Sequence, residues 1–305
     1  MDKIGPDFLC IGMAKAGTGW LYDALCEIDG FAMLPIKEFR HFGFASVINK
    51  GGNSFLKKNM LAKRLYHQMD IRRSRQSKRE LAGLKKAVDA YVKSDFSDST
   101  YLDLFSSHRA GWFSERNNDI NGDMSTDYSL LEQKEIEHIH SILPNIPVMM
   151  IVRNPVDRLW SAFNMNLRRR GRKTGDQTPE DFHKEIDGMA TIEVLEQFCN
   201  RAPVLRSSEP SRTYLDWSNY YNDIHVISFD DIRRDPRNVI AKAASFAAGR
   251  PISLPEGFEL ENSKEQLAKT KMLPEHRAFL YSHLSDELQR CKEVFPIIAA
   301  NWAFK

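Results

Sequence analysis

Short apolar runs alternate along this chain with longer stretches in which apolar residues recur every three or four positions. Residues 8–11, 148–152 and 225–229 form the short runs, and such unbroken apolarity is what strands buried on both faces require. Residues 31–34 read as a further short strand and 119–124 as a weaker one. A helix opens at Trp20, and helical patterns cover 132–143, 155–170, 231–246 and 274–294, the last beginning on a proline, which a helix accepts in its first turn. Strand and helix in alternation predict an α/β fold, with a central, mostly parallel sheet flanked by helices. Residues 50–97 break the pattern. They are polar, basic and helical in character, and are read as an insertion on a single domain spanning 1–305.

The first strand runs into Gly12-Met-Ala-Lys15-Ala16-Gly17-Thr18-Gly19-Trp20, a glycine-punctuated turn followed at once by a helix start. Strand, glycine turn and helix N-terminus together make an anion site, because backbone N–H groups converge at the positive end of the helix dipole. Gly17 and Gly19 let the backbone approach the anion, Lys15 adds a charge and Thr18 a hydroxyl donor. A nucleotide loop of the Walker type places its lysine directly after the last glycine, whereas here lysine precedes Gly17 by two residues. The loop therefore predicts phosphate without specifying ATP.

The run at 148–152 ends in Arg153-Asn-Pro155-Val-Asp-Arg-Leu-Trp-Ser161. Phosphoryl-transfer enzymes with such loops commonly end this strand in an aspartate that organises Mg²⁺; this strand ends in arginine. Ser161 lies eight residues on, about two turns along the following helix. Together they can grip one phosphate by a forked charged bond and a hydroxyl bond. The alternative is that Arg153 serves the neighbouring helix and Ser161 is a packing residue.

Composition narrows the classes. The chain has 305 residues, 42% hydrophobic and 28% charged, with a net charge of +2, which gives no global footprint for nucleic acid. Four scattered cysteines, Cys10, Cys26, Cys199 and Cys291, form no CxxC pair and are expected to be reduced thiols. No apolar run approaches the ~20 residues of a membrane span, and the chain enters a strand almost immediately, so the expected location is cytoplasmic. His138 and His140 are two apart and share no ligand face. Ser129 and Ser161 lack a nucleophile-elbow frame. The basic run from Arg168 to Lys173 is read as a solvated helix end.

The two constellations match a family. Lys15-Ala-Gly-Thr-Gly-Trp-Leu21 resembles the 5′-phosphosulfate loop of sulfotransferases that use 3′-phosphoadenosine 5′-phosphosulfate (PAPS), and Arg153 to Ser161 resembles their 3′-phosphate motif. The likeness is to the bacterial and heparan-sulfate-type branch, and it continues through 123–129, 214–217, 226–231 and 269–274. It implies the P-loop-like sulfotransferase fold, PAPS as donor with 3′-phosphoadenosine 5′-phosphate (PAP) as product, and no required metal. The acceptor it implies is a glycan or small molecule. It further implies that Lys15 is catalytic, that Ala16, Gly17, Thr18, Gly19 and Trp20 hold the 5′-phosphate, and that Arg153 and Ser161 hold the 3′-phosphate. Lys269 or Lys271 would close over the nucleotide.

Lys37-Glu38-Phe39-Arg40-His41-Phe42 resembles the segment that carries the family's base, with one extra residue before the histidine. Glu38 is the expected proton acceptor, with His41 as the other candidate; Asp127 and Tyr128 are expected on the acceptor side. Two other functions remain open at this stage. One is a P-loop kinase or NTPase; the other is a non-catalytic binder of nucleotide or RNA that uses the basic insertion.

Overall fold

The computed structural model describes residues 5–43, 60, 62–67, 78–94, 96–107, 119–171, 178–258, 269–300 and 302. Four strands form one parallel sheet: β1 (Phe8–Cys10), β2 (Gly122–Met124), β3 (Val148–Val152) and β4 (Ile224–Ser228), in the order β2-β1-β3-β4. Every β3 residue is fully buried, and each such side chain contributes about 1.5–3 kcal/mol by leaving water. The expected strand at 31–34 is reduced to one parallel bridge between Phe31 and Ile120, because Pro35, with no N–H, follows directly.

Helices cover the sheet. In chain order they begin with α1 (Thr18–Cys26), α2 (Lys78–Lys93) and α3 (Asp98–Ser107). After β2 and a 3-10 turn at Thr126–Leu130 come α4 (Gln133–Ile142) and α5 (Pro155–Gly171). Then follow α6 (Pro179–Gly188), α7 (Ile192–Cys199), α8 (Ala202–Arg206) and α9 (Pro210–Ser218). After β4 come α10 (Phe229–Arg234), α11 (Pro236–Ala248), α12 (Pro274–His283), α13 (Ser285–Val294) and α14 (Pro296–Ala299).

Four of these helices, α10 to α13, come from two expected longer ones. The pattern at 231–246 breaks at Asp235, since Pro236 disfavours helical backbone in the residue before it; Asp235 then accepts a bond from Asn238 N and caps α11. Gly249, at φ +62°, ends α11 in the left-handed conformation. The pattern at 274–294 breaks at Leu284, whose side chain is buried at φ −109°. Part of the expected insertion at 50–97 lies outside the described residues. Its described helix α2 buries Leu84, Val88 and Tyr91, so this face of the insertion is joined to the core.

Candidate functional site

The site lies past the C-terminal ends of the parallel strands, where open α/β sheets bind ligands. The loop after β1 turns through Lys15 at φ +67° and Gly17 at φ +104° before α1 begins. Gly17 is required twice over. Its backbone is left-handed, and an added Cβ would lie 3.3 Å from both Ile232 and the Phe229 ring. Gly17 supplies no side-chain cap and α1 has no acidic residue in its first turn, so the helix start keeps its positive character for a ligand. Thr18 is buried, its Oγ1 accepts from Lys37 Nζ at 3.3 Å, and the same ammonium is 3.3 Å from where a Gly19 Cβ would sit. Ala16 is buried and Trp20 half-buried.

Arg153 leaves the end of β3 and reaches this loop, donating from Nη1 to Lys15 O at 3.0 Å. Its guanidinium stacks 4.4 Å over Phe229, while its buried Nε has no partner. Lys15 is held down to a pKa of about 8, first by burial and then by the charges of Arg168, Arg153, Lys269 and Lys37. Four other cations thus act on Lys15, making five in all. Cations are brought together against their mutual repulsion where an anion is to be held. Lys269 joins them because its loop is docked on α5: Thr270 N and Oγ1 donate to Asn164 Oδ1 at 2.7 and 3.2 Å, and His183 Nε2 donates to Lys269 O. Lys271 is exposed. Ser161 is half-buried on the second turn of α5, and its hydroxyl makes no hydrogen bond among the described residues.

A second cluster adjoins the first through Lys37. Glu38 N donates to Met124 O, and Arg40 N to Ser125 Oγ, so the segment is pinned to the end of β2. Glu38 and Arg40 take left-handed backbone, φ +58° and +63°, which turns their side chains to the site while Phe39 and His41 go to the core. Such conformations in non-glycine residues are held by their surroundings and cluster at functional sites. Glu38 Oε2 accepts from Arg40 at 2.5 Å and from Arg64 at 2.9 Å; Oε1 accepts from Thr126 at 3.1 Å. Burial raises its pKa, but Arg40, Lys37 and Arg64 more than offset this and hold the carboxyl down to about 2. Asp127 stands beside it, 3.7 Å from Arg40 Nε, with Oδ1 buried and unpartnered. Burial lifts it to about 6; Glu38 and Asp123 push the same way, against Arg40 and Arg64.

Two expected site residues are placed elsewhere. His41 is buried, stacked 4.2 Å on Tyr101, with Nδ1 bonded to Tyr91 and Nε2 to Asp98. Neither ring nitrogen is left for an acceptor's proton; the extra residue before it turns it into the aromatic core. Tyr128 is likewise buried, donating to Asp123 Oδ2 at 2.6 Å alongside Tyr101, so it supports the site from beneath. Two residues were missed by sequence reasoning. Arg64 sits within 50–97, where no local pattern marks it. Arg168 was assigned to a solvated run, yet it is half-buried while Arg169 and Arg170 are exposed. Arg172 and Lys173, the end of that run, lie outside the described residues.

Among the described residues there is no cluster of three or more His, Cys, Asp or Glu that could hold a metal, and no helix long and apolar enough to cross a membrane. No curated protein matches the chain. Among solved structures, a sulfotransferase from Alicyclobacillus acidocaldarius superposes with a TM-score of 0.59 at 19% identity, covering 97% of this chain and 98% of that one. The sulfotransferase domain of the Synechococcus PCC 7002 olefin synthase gives 0.50 at 15% identity, covering 100% and 98%. At these identities the likeness is one of fold. Residues 5–292 match the sulfotransferase domain family, and this chain, with its lysine loop and strand-end arginine, belongs to that family.

Proposed function

We propose that the protein transfers a sulfuryl group from PAPS to a hydroxyl or amine of a carbohydrate or small-metabolite acceptor. The observation that carries this reading is the convergence of Lys15, Lys37, Arg153, Arg168 and Lys269 at an uncapped helix start. The orphaned Nε of Arg153 fits a ligand with a phosphate beyond the 5′ position. The donor supplies an activated sulfuryl group. Lys15, Thr18 and the first N–H groups of α1 would hold the 5′-phosphosulfate and stabilise charge gathering on the leaving phosphate. Arg153 and Ser161 would hold the 3′-phosphate, with Lys269 over the nucleotide.

Glu38 is the proposed proton acceptor. A carboxyl near pKa 2 is a weak base, which suits late proton transfer: a hydroxyl oxygen already bonding to sulfur is far more acidic than a free alcohol. Asp127 supports a second reading, because its free Oδ1 and higher pKa suit it to take the proton earlier or to orient the acceptor. On either reading the chain is one domain whose insertion contributes Arg64 to the acceptor wall, and its four cysteines, none in a disulfide, suit a reducing, cytoplasmic setting. The test is transfer of labelled sulfate from PAPS across an acceptor panel. Glu38→Gln abolishing transfer while Asp127→Asn spares it supports the first reading, and the reverse supports the second. No transfer to any acceptor, together with Mg²⁺-dependent ATP turnover, would replace both with phosphoryl transfer.

A further inference from the structure

Helix α5 ends in three successive arginines, and only the first is drawn inward. At about 100° per residue, Arg168 lies about 20° round the helix from Ser161 and two turns beyond it. Asn164, one turn before Arg168, binds Thr270 N and Oγ1, so the loop bearing Lys269 is docked on the same side of the helix. Arg169 and Arg170 are turned about 100° and 200° farther round and are exposed. Helical side chains lean toward the helix N-terminus, which points the Arg168 guanidinium back along the Ser161 face.

We infer that Arg168 is a second guanidinium for the donor's 3′-phosphate, gripping it from the side of Ser161 opposite Arg153. This rests on the PAPS reading above. A phosphate monoester carries close to two negative charges at neutral pH, and one arginine neutralises only half of that. Arg153 leaves the end of β3, and Arg168 lies two turns beyond Ser161 on α5. Lys15 lies within reach of both charges and responds to Arg168 more than to any other cation, which is consistent with this placement.

The experiment is calorimetric titration of the full chain with PAP and with adenosine 5′-phosphate, which lacks the 3′-phosphate. Arg168→Ala should weaken PAP about 10- to 30-fold, the range of a charged hydrogen-bonded contact, and change adenosine 5′-phosphate binding far less. Arg168→Lys should recover part of the loss, and Arg169→Ala should bind both ligands as the wild type does. The inference is overturned if Arg168→Ala keeps the wild-type preference for PAP, or if it weakens both ligands equally. A wild-type protein with no preference for PAP overturns the donor reading itself, and this assignment with it.

Discussion

The two charged clusters of the site are built on opposite principles. Around Lys15 the protein gathers five cations, and their charges add to burial in holding its pKa down; around Glu38, two guanidinia and two carboxylates lie within one network before any ligand arrives. Repulsion in the first cluster is a standing cost in the free protein. The second cluster is close to neutral and stabilises the fold. The difference matches what each side is proposed to receive: a donor carrying several negative charges completes the first, and a neutral hydroxyl needs only orientation and a place for its proton. A site that lends its charges to a ligand is left unbalanced without it.

That contrast can be broken by substitution, most forcefully at Lys15. Lys15→Ala should reduce sulfate transfer by about 10³-fold, the scale of a preorganised electrostatic contact, without lowering Tm, since it relieves repulsion. A matching loss of Tm would mean that Lys15 is structural. Arg153→Ala should weaken PAP by about 100-fold, as loss of a charged bidentate contact does, with adenosine 5′-phosphate little affected in the same titration. On the acceptor side the order reverses: Glu38→Gln should cost about 2 kcal/mol of stability in urea denaturation, because it leaves Arg40 and Arg64 without their shared carboxylate. A Glu38→Gln protein as stable as wild type would contradict the pre-paired description.

The pH dependence sharpens the same comparison. Lys15 sits at about 8 in the free protein against an ordinary 10.5. Its charged form is therefore disfavoured in the fold, and that penalty is lifted as pH rises between those values. Binding an anion beside it restores the ordinary preference for charge. PAP binding above pH 8 should thus take up a proton, seen as buffer-dependent heats in titration calorimetry. Glu38 behaves oppositely: its stabilisation is present above about 4.5 and is lost only as pH falls toward 2.

Much of the proposed donor side could be read from the sequence because it is local. The lysine-glycine loop, the arginine at a strand end and Ser161 eight residues later are fixed by the chain's own geometry, and the spacing of seven between Ser161 and Arg168 would have singled out that arginine. The acceptor side is held by contacts distant in sequence. Arg64 reaches Glu38 across 26 residues and His41 bonds Tyr91 across 50, and nothing local separates a catalytic histidine from one enclosed by aromatic rings. The break at Asp235 was readable from the proline after it, whereas the break at Leu284 follows from a leucine turning into the core, which sequence periodicity does not reveal.

The central claim is that the cationic cluster around Lys15 is made for a nucleotide carrying a 3′-phosphate. Titration calorimetry of the wild-type chain with PAP and with ADP tests it most directly. PAP should bind at least about 100-fold more tightly, as the contacts of Arg153 and Ser161 with the extra phosphate alone imply. Equal affinity for the two nucleotides would contradict the account.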